Sequence, residues 1–420
     1  MKKKVLIYGM GVTGVELRKF CRKKRISYIT FDDNSVSKTK YEFKDLLKNC
    51  EEIIVSPGIG LRNKNIKLAI KSGKKILSEI EFASRYIKTP IVAITGTNGK
   101  TTTTMLTYEL LKSLGYKVFL GGNIGKPLIS YLLEKQNRDL ILVEVSSFQL
   151  QFIQSSFKPL ISAFLNISEN HLDHHANMKE YIGSKMKIFN NQDKDCFAVC
   201  SKDIYRNITK NNFPIFCNPT RNENLKILKN GLLVGKKYRL DIKDIQLIGK
   251  HNLTNIAFAI TICSILKELG AKELNILKKF KPLNHRLEIV KKNRRGIIIN
   301  DSKSTSPEAT QVAINSLDGK SVLIMGGKDK KLDYSLIRNS VKTKINTLIL
   351  FGENKFELAK TFDTKVKIIA ADLFDAVLQG LKSSAKGGTL LFSPGTSSFD
   401  QFKSYSERGD KFKEYVKKLY

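Results

Sequence analysis

The sequence predicts an α/β protein of three domains built on mostly parallel sheets, and three observations carry that reading. Short, near-continuous apolar runs end in glycine-, serine- or asparagine-rich turns and lead into helix-compatible segments, the pattern of strands covered on both faces. A chain of 420 residues has room for two or three separate cores. Breaks near Lys88-Thr89-Pro90 and around Pro282 divide it into 1–88, 89–282 and 283–420.

The first block opens with Val5-Leu6-Ile7-Tyr8, then Gly9-Met10-Gly11-Val12-Thr13-Gly14 and a helix through Phe20. A second strand, Ile26 to Phe31, ends at Asp32-Asp33, and a third, Ile53 to Val55, ends at Ser56-Pro57-Gly58. A G-x-G-x-x-G turn with an acidic residue about 20 positions on is the Rossmann-like fingerprint, and it predicts a nucleotide or its diphosphate. Alone it would suit a dehydrogenase equally well.

The second block carries the most informative stretch, IVAITGTNGKTTTT at 91–104. A β-branched run enters Thr95-Gly96-Thr97-Asn98-Gly99-Lys100-Thr101, and a helical segment follows from Thr102. Glycines let backbone N–H groups approach phosphate oxygens, and the helix N-terminus adds partial positive charge. Lys100 would reach the terminal phosphates and the Thr101 hydroxyl would ligate Mg²⁺. The loop is shorter than the usual phosphate loop, because Ile94 stands where the first glycine would be. Strands are expected at Leu140–Val145, Ile161–Ile167 and Cys196–Cys200, then a small β insert over about 203–246 and a helix from Lys250-His251-Asn252 to Gly270.

The third block repeats strand-then-turn at GIIIND (296–301), SVLIMGG (321–327), TLILFG (347–352) and TLLFSPG (389–395). In such sheets the functional crevice lies at the carboxyl ends of the strands.

Composition narrows the partners. Lys and Arg number 73 against 39 Asp and Glu, a net charge of +34, but the lysines are spread along the chain without a basic tail or a nucleic-acid-reading motif. The expectation is a solvated surface biased towards small anions, with no nucleic-acid partner. No apolar run approaches the ~18 residues of a membrane span. The start, MKKKVLIYGM, has too short an apolar stretch for a signal peptide. A cytoplasmic monomer without membrane insertion is expected. Six cysteines, none in CxxC spacing, read as scattered reduced thiols.

Glu144 ends a strand in VEVSSFQL, where a carboxylate can meet a metal, and His171 follows another in NISENHLDHH. Thr101, Glu144, phosphate oxygens and water suit the octahedron of Mg²⁺. Zinc is the rival, yet HxxHH lacks H-E-x-x-H spacing and a cysteine partner. His174 and His175 read as loop or surface residues.

TGTNGKTT, GGNIGKP, EVSSFQL, NISENHLDHH, GKHNLTN, NHRLE and DSKST occur in one order across nearly the whole chain. In these motifs the chain resembles the Mur ligases, the ATP-dependent amino-acid-adding enzymes of bacterial peptidoglycan synthesis. GMGVTG with SPGI, SSFQL after Glu144 and the tail SPGTSSFDQFKSYSERGDKF resemble the branch that adds D-glutamate to UDP-N-acetylmuramoyl-L-alanine.

The resemblance implies an N-terminal Rossmann-like UDP-substrate domain, a central P-loop ATPase-like domain and a C-terminal Rossmann-like amino-acid domain whose closure completes the site. It implies phosphorylation of a carboxylate by ATP, attack of an amine on the acyl phosphate, and collapse of a tetrahedral intermediate. ATP would meet Gly96, Thr97, Asn98, Gly99, Lys100, Thr101 and Thr102. Asn252 and Asn255 would lie on the adenine side, unless they serve only as helix caps. Arg286 would meet the phosphates and Asp301 the ribose. Two Mg²⁺ sites would use Thr101, Glu144, His171 and Lys185, the last as a carbamate placed by the Tyr181-x-x-x-Lys185 spacing, with Lys187 out of register. The UDP half would use Val12, Thr13, Asp32, Asn34, Ser56 and Gly58, with Asn123 nearer the sugar. D-Glutamate would meet Lys303, Thr305, Lys330, Ser398, Phe399 and Tyr405. GGKDKKLDY departs from the family spacing, which leaves Lys328 and Lys331 as alternatives to Lys330. An NAD-dependent oxidoreductase would leave GTNGKTT and DSKST without a role.

Overall fold

A computed structural model describes residues 4–33, 42–168, 175–208, 214–222, 225–235, 238–249, 251–281, 284–294, 296–317, 319–384 and 387–420. Asn34, His171, His174, Lys250 and Pro282, singled out above, lie outside the described residues. The chain forms two compact units, Met1–Ile242 with Leu253–Leu277, and Lys243–Asn252 with Lys278–Tyr420.

Unit one contains three sheets. In the first, β1 (Lys4–Tyr8), β2 (Tyr28–Phe31), β3 (Cys50–Val55) and β4 (Lys75–Ser78) are all parallel, in the order β2-β1-β3-β4. The turn after β1 leads into the helix Val12–Lys23, and a Cβ on Gly14 would stand 2.0 Å from the Gly9 carbonyl oxygen. That close helix–strand approach is what the third glycine of the motif permits.

The second sheet comprises β5 (Ile91–Thr95), β6 (Val118–Gly122), β7 (Leu140–Glu144), β8 (Ile161–Phe164), β9 (Phe197–Cys200) and β10 (Ile215–Cys217). Its order is β10-β9-β8-β5-β7-β6, all parallel, so β5 is flanked by β8 and β7. The third sheet is the β insert, an antiparallel meander of β11 (Arg221–Asn222), β12 (Leu225–Leu228), β13 (Gly231–Val234) and β14 (Tyr238–Asp241). It begins later than the sequence suggests, because Ile215–Cys217 still pairs with β9.

The first two sheets share one apolar core. Ile7, Leu17 and Phe20 of the first cluster with Ile91, Ala93, Ile141 and Val143 of the second.

Unit two holds β15 (Glu288–Asn293), β16 (Gly296–Asn300), β17 (Ser321–Gly326), β18 (Ile345–Phe351), β19 (Val366–Ile369) and β20 (Gly388–Phe392), in the order β15-β16-β20-β17-β18-β19. Only β15, at the edge, is antiparallel. Neighbouring residues of its strands enter opposite cores, Leu323 and Leu348 on one face, Ile324 and Ile349 on the other. Burial on both faces explains the continuous apolar runs.

Candidate active site

The phosphate loop leaves the carboxyl end of β5 and enters the helix Lys100–Ser113. Gly99 caps that helix in the left-handed region, with φ 80°, and a Cβ there would lie 2.2 Å from Asn255 Oδ1. The loop therefore closes against the side chain of Asn255 on the helix His251–Leu266, and only glycine fits. Asn166, just past β8, grips the loop from the other side: its Oδ1 accepts from the Asn98 N–H at 2.9 Å and its Nδ2 donates to the Asn98 carbonyl at 3.0 Å. The Thr97 N–H donates to the Asn166 carbonyl at 3.0 Å. Lys100 Nζ lies along the loop, donating to the Gly96 and Thr97 carbonyls at 3.0 and 2.9 Å. Thr101 is buried and Thr102 half-buried in the first helical turn. Amide groups at a helix start, with the axial dipole behind them, form an anion site.

Glu144 is the last residue of β7 and is 1% exposed. Its Oε1 accepts from Asn123 Nδ2 at 2.7 Å, and its Oε2 has no hydrogen-bond partner among the described residues. Asn123, expected near the sugar, is thus held on the carboxylate. Directly after Glu144, Ser146 and Gln149 form a reciprocal capping box that starts the helix Ser147–Gln151.

Lys185 sits in the helix Met178–Met186 and is 1% exposed. Its Nζ donates to the Gly96 carbonyl at 2.8 Å and stands 4.9 Å from the centre of the Tyr181 ring. Burial pushes its ammonium down to about 6, helped by the charge of Lys100 and opposed by Glu144. Lys187, the out-of-register alternative, turns elsewhere and donates to the Gln151 carbonyl at 2.5 Å. A buried carboxylate with a spare oxygen beside an anion-binding helix start offers oxygen donors of the kind that would suit Mg²⁺, and a lysine lowered towards neutrality would repel such an ion less than a full ammonium. Among the described residues, no group of three or more His, Cys, Asp or Glu side chains could hold a metal ion, and the thiols of Cys196 and Cys200 are buried.

Half of one expectation fails. His175 lies in the loop before the helix Met178–Met186, as expected, but it is not on the surface: it is 0% exposed, with Nε2 3.0 Å from Ser147 Oγ and Nδ1 3.3 Å from Glu180 Oε1. The imidazole can be buried because a polar partner, Ser147 or Glu180, meets each ring nitrogen.

The first sheet collects its predicted residues at the carboxyl ends of β1, β2 and β3. Val12 is 73% exposed and Thr13 half-buried beside it. Asp32 accepts from the Met10 N–H at 2.6 Å, Ser56 Oγ donates to the Gly9 carbonyl at 2.8 Å, and Gly58 is exposed. Asp33 was not expected here. It accepts from Tyr8 OH at 2.6 Å and from Asn65 Nδ2 at 3.1 Å, a cluster signalled only by the Asp32-Asp33 pair.

In unit two, Arg286 lies between two non-glycine residues at positive φ, His285 (63°) and Leu287 (44°), and its Nε is buried without a partner among the described residues. Asp301 holds this turn by accepting from the Leu287 N–H at 3.1 Å, and it also accepts from Ser304 and Ser393 hydroxyls at 2.5 and 2.9 Å. Burial raises Asp301 to about 6 against those bonds. Lys303 Nζ stands 5.3 Å from the Tyr405 ring centre. Thr305 is half-buried, Ser398 buried and Phe399 70% exposed. Lys330 is exposed, whereas Lys328 is tied to Glu353 at 2.6 Å. Sequence reading missed Arg408. It is fully buried, donating from Nε to Ser302 Oγ at 3.1 Å and from Nη2 to the Ser302 and Thr396 carbonyls at 2.9 and 3.0 Å. Asn252 donates to the Ile248 carbonyl at 2.7 Å.

Two family models match the chain, the Mur ligase middle domain over residues 94–263 and the Mur ligase glutamate ligase domain over 285–395. The chain belongs to the Mur ligase family. It is 36% identical over 449 residues to the UDP-N-acetylmuramoylalanine--D-glutamate ligase of Pelobacter propionicus, covering 99% of each chain. It is 35% identical to the ligase of the same name from Geotalea uraniireducens, covering 100% of this chain and 98% of the other. Solved structures share the fold. The MurF ligase from Thermotoga maritima in complex with ADP superposes with a TM-score of 0.62 at 18% identity, over 92% of this chain and 93% of that one. A pseudomurein peptide ligase type C from Methanothermus fervidus gives 0.61 at 18% identity over 100% of both.

In this Mur ligase, unit one brings Gly96, Lys100, Glu144, Lys185 and Asn255 together around one loop. Unit two carries Asp301 and Lys303 on the loop that follows β16, Ser398 on the loop that follows β20, and Tyr405 at the start of the helix Tyr405–Leu419, where its ring meets Lys303.

Proposed function

We propose that this Mur ligase joins D-glutamate to UDP-N-acetylmuramoyl-L-alanine with hydrolysis of ATP to ADP and phosphate, in the cytoplasmic synthesis of peptidoglycan precursor. The observation that carries the chemistry is the convergence of Lys185 and Lys100 on the carbonyls of the phosphate loop, with the charge of Glu144 felt at Lys185 and its Oε2 unpartnered among the described residues. The choice of amino acid rests on whole-length identity to curated D-glutamate ligases.

The reaction needs two anions, the substrate carboxylate and the γ-phosphate, brought together and their repulsion cancelled. The loop amides and the helix start bind the phosphates, and Lys100 supplies positive charge to the group in transit. Carboxylate attack gives an acyl phosphate; the amine of D-glutamate then adds, and the tetrahedral intermediate expels phosphate. Thr101, Glu144, His171 and Lys185 would hold Mg²⁺ at two sites, where it would screen charge between the oxygens. As a free ammonium Lys185 would repel the ion. With its ammonium lowered to about 6, Nζ is an amine near neutrality and can attack the carbon of CO₂. The N–C bond forms, one proton leaves, and an anionic carbamate results.

Val12, Thr13, Asp32, Ser56 and Gly58 would take the uridine diphosphate half, and the first sheet, the second sheet and the sheet of unit two would act as UDP-substrate, ATP and amino-acid modules. Lys303, Thr305, Lys330, Ser398, Phe399 and Tyr405 would take D-glutamate, with Lys330 preferred to the paired Lys328. Among the described residues no helix is long and apolar enough to cross a membrane. A monomer is sufficient for this chemistry.

The test is ATP-dependent phosphate release with UDP-N-acetylmuramoyl-L-alanine, Mg²⁺ and, in turn, D-glutamate, L-glutamate, L-alanine, L-lysine and meso-diaminopimelate. Release with D-glutamate alone is the expected result. Release with another amino acid moves the protein to a sibling reaction, and release with none overturns the reading.

A further inference from the structure

Ser147, His175 and Glu180 form a chain of hydrogen bonds that the ligase chemistry leaves without a role. Ser147 Oγ lies 3.0 Å from His175 Nε2, and His175 Nδ1 lies 3.3 Å from Glu180 Oε1. The sequence of side chains invites comparison with a nucleophilic triad, but Ser147 is buried, so its hydroxyl has no path to an acyl group.

What the chain does join is two elements that each carry a reacting-site residue. Ser147 opens the short helix immediately after Glu144, and Glu180 lies in the first turn of the helix that carries Lys185. The imidazole is held from all sides: the Phe148 ring stacks on it at 5.8 Å, and the Tyr181 ring lies 5.2 Å away. Glu180 is itself fixed, accepting from Gln151 Nε2 at 3.0 Å and from the Ala176 N–H at 3.2 Å. A carboxylate only accepts, so His175 carries its proton on Nδ1 and accepts a hydrogen bond from the Ser147 hydroxyl at Nε2, or donates from both nitrogens. At the very next residue after Glu180, Tyr181 OH and Thr97 Oγ1 meet at 3.0 Å and pin the same helix to the phosphate loop.

We propose that His175 is a positioning residue which, through Ser147 and Glu180, locks the helix Met178–Met186 onto the turn after β7 and so sets Lys185 against Glu144. The inference rests on the reading of Lys185 as the carbamylated, metal-holding lysine. An apolar side chain would fill the same volume, but it would let the two helices slide. Directional bonds at both ring nitrogens fix the register, and register matters where a displacement of about 1 Å can cost about 100-fold in rate.

The experiment compares the wild-type chain with His175→Phe, which keeps ring packing and removes both bonds, and with Ser147→Ala, which removes one. Lys185→Ala supplies the blank. Carbamate on Lys185 is read by carbon-13 NMR in labelled bicarbonate, beside kcat, KM for ATP and Tm. The expected result for His175→Phe is a carbamate signal reduced several-fold and a kcat reduced about 10- to 100-fold, with KM for ATP within about threefold. Added bicarbonate should restore part of the rate. Ser147→Ala should shift both readouts the same way by less, and the double variant should be no worse than His175→Phe, because the two residues act as one chain. If His175→Phe does not fold, Ser147→Ala decides. Full carbamate signal and full kcat in the folded variants overturn the role of His175. If the wild-type chain itself shows no Lys185-dependent carbamate, the reading of Lys185 fails first and this inference with it.

Discussion

Asn123 holds Glu144 twice, donating its side-chain amide to Oε1 at 2.7 Å and its backbone N–H to the Glu144 carbonyl at 2.8 Å. One oxygen of the carboxylate is thereby oriented and the other left open. Asn123→Ala should weaken Mg²⁺ activation about 10- to 100-fold, the usual effect of removing a partner that orients a metal-binding group. Glu144→Gln, which removes the charge, should reduce phosphate release by at least about 100-fold. Both are read from initial rates across a Mg²⁺ titration; equal Mg²⁺ dependence in Asn123→Ala and wild type would show that the contact is structural only.

Gly99→Ala places a methyl group 2.2 Å from Asn255 Oδ1 at a backbone φ of 80°. A stability loss of about 1–3 kcal/mol is expected from the left-handed conformation and the clash. KM for ATP should rise more than KM for either carboxylate substrate, since the displaced atoms are the phosphate-binding amides. Denaturant melts and separate KM measurements check this, and an unchanged melt would mean that Asn255 moves aside freely.

Glu79 predicts a pH dependence. It is buried with Oε2 unpartnered, and desolvation pushes it from its ordinary 4.5 up to about 7 despite the bond that Oε1 accepts from the Ile129 N–H. The unfolded chain releases this proton near 4.5 and the folded chain near 7, so stability falls as pH rises through that window and then levels. The penalty above the window is on the order of 3 kcal/mol. Glu79→Gln should therefore flatten the curve and raise stability at pH 8 by about 1–3 kcal/mol, with little change near pH 4.5. Urea midpoints at the two pH values decide, and parallel curves for the two proteins would refute it.

Arg408 joins the loop after β16 to the loop after β20 through Ser302 and Thr396. Arg408→Met should leave those buried carbonyls short of donors and lower stability by about 2–4 kcal/mol. Because Lys303 and Ser398 ride on the same two loops, KM for D-glutamate should rise while KM for ATP stays close to wild type. Equal rises in both would point to a general loss of structure.

Much of this was legible in the residue order. The phosphate loop, its strand and its helix lie where IVAITGTNGKTTTT puts them, because glycine spacing and a β-branched run are local signals. Four strands escaped notice, and each for a physical reason. β4 and β6 are short and run straight into a helix or paired glycines, while β15 and β19 are polar, exposed edges with little apolar pattern. At the site, the resemblance to the Mur ligases singled out Lys185, which the structure buries against the Gly96 carbonyl. Asn166, Asn123 on Glu144, His175 and Arg408 were not legible, since each acts through a partner distant in sequence that only the packed chain supplies.

The core that runs without interruption from Ile7 and Leu17 to Ile91 and Ile141 has a thermodynamic corollary. Segments that bury the same apolar surface melt together, so the first two sheets should give a single calorimetric transition, however distinct their ligands. A fragment ended at residue 88 would lose the part of this cluster that residues 91–208 supply, and it would be prone to aggregate. Ligand binding at either sheet should then protect the backbone amides of both from hydrogen exchange.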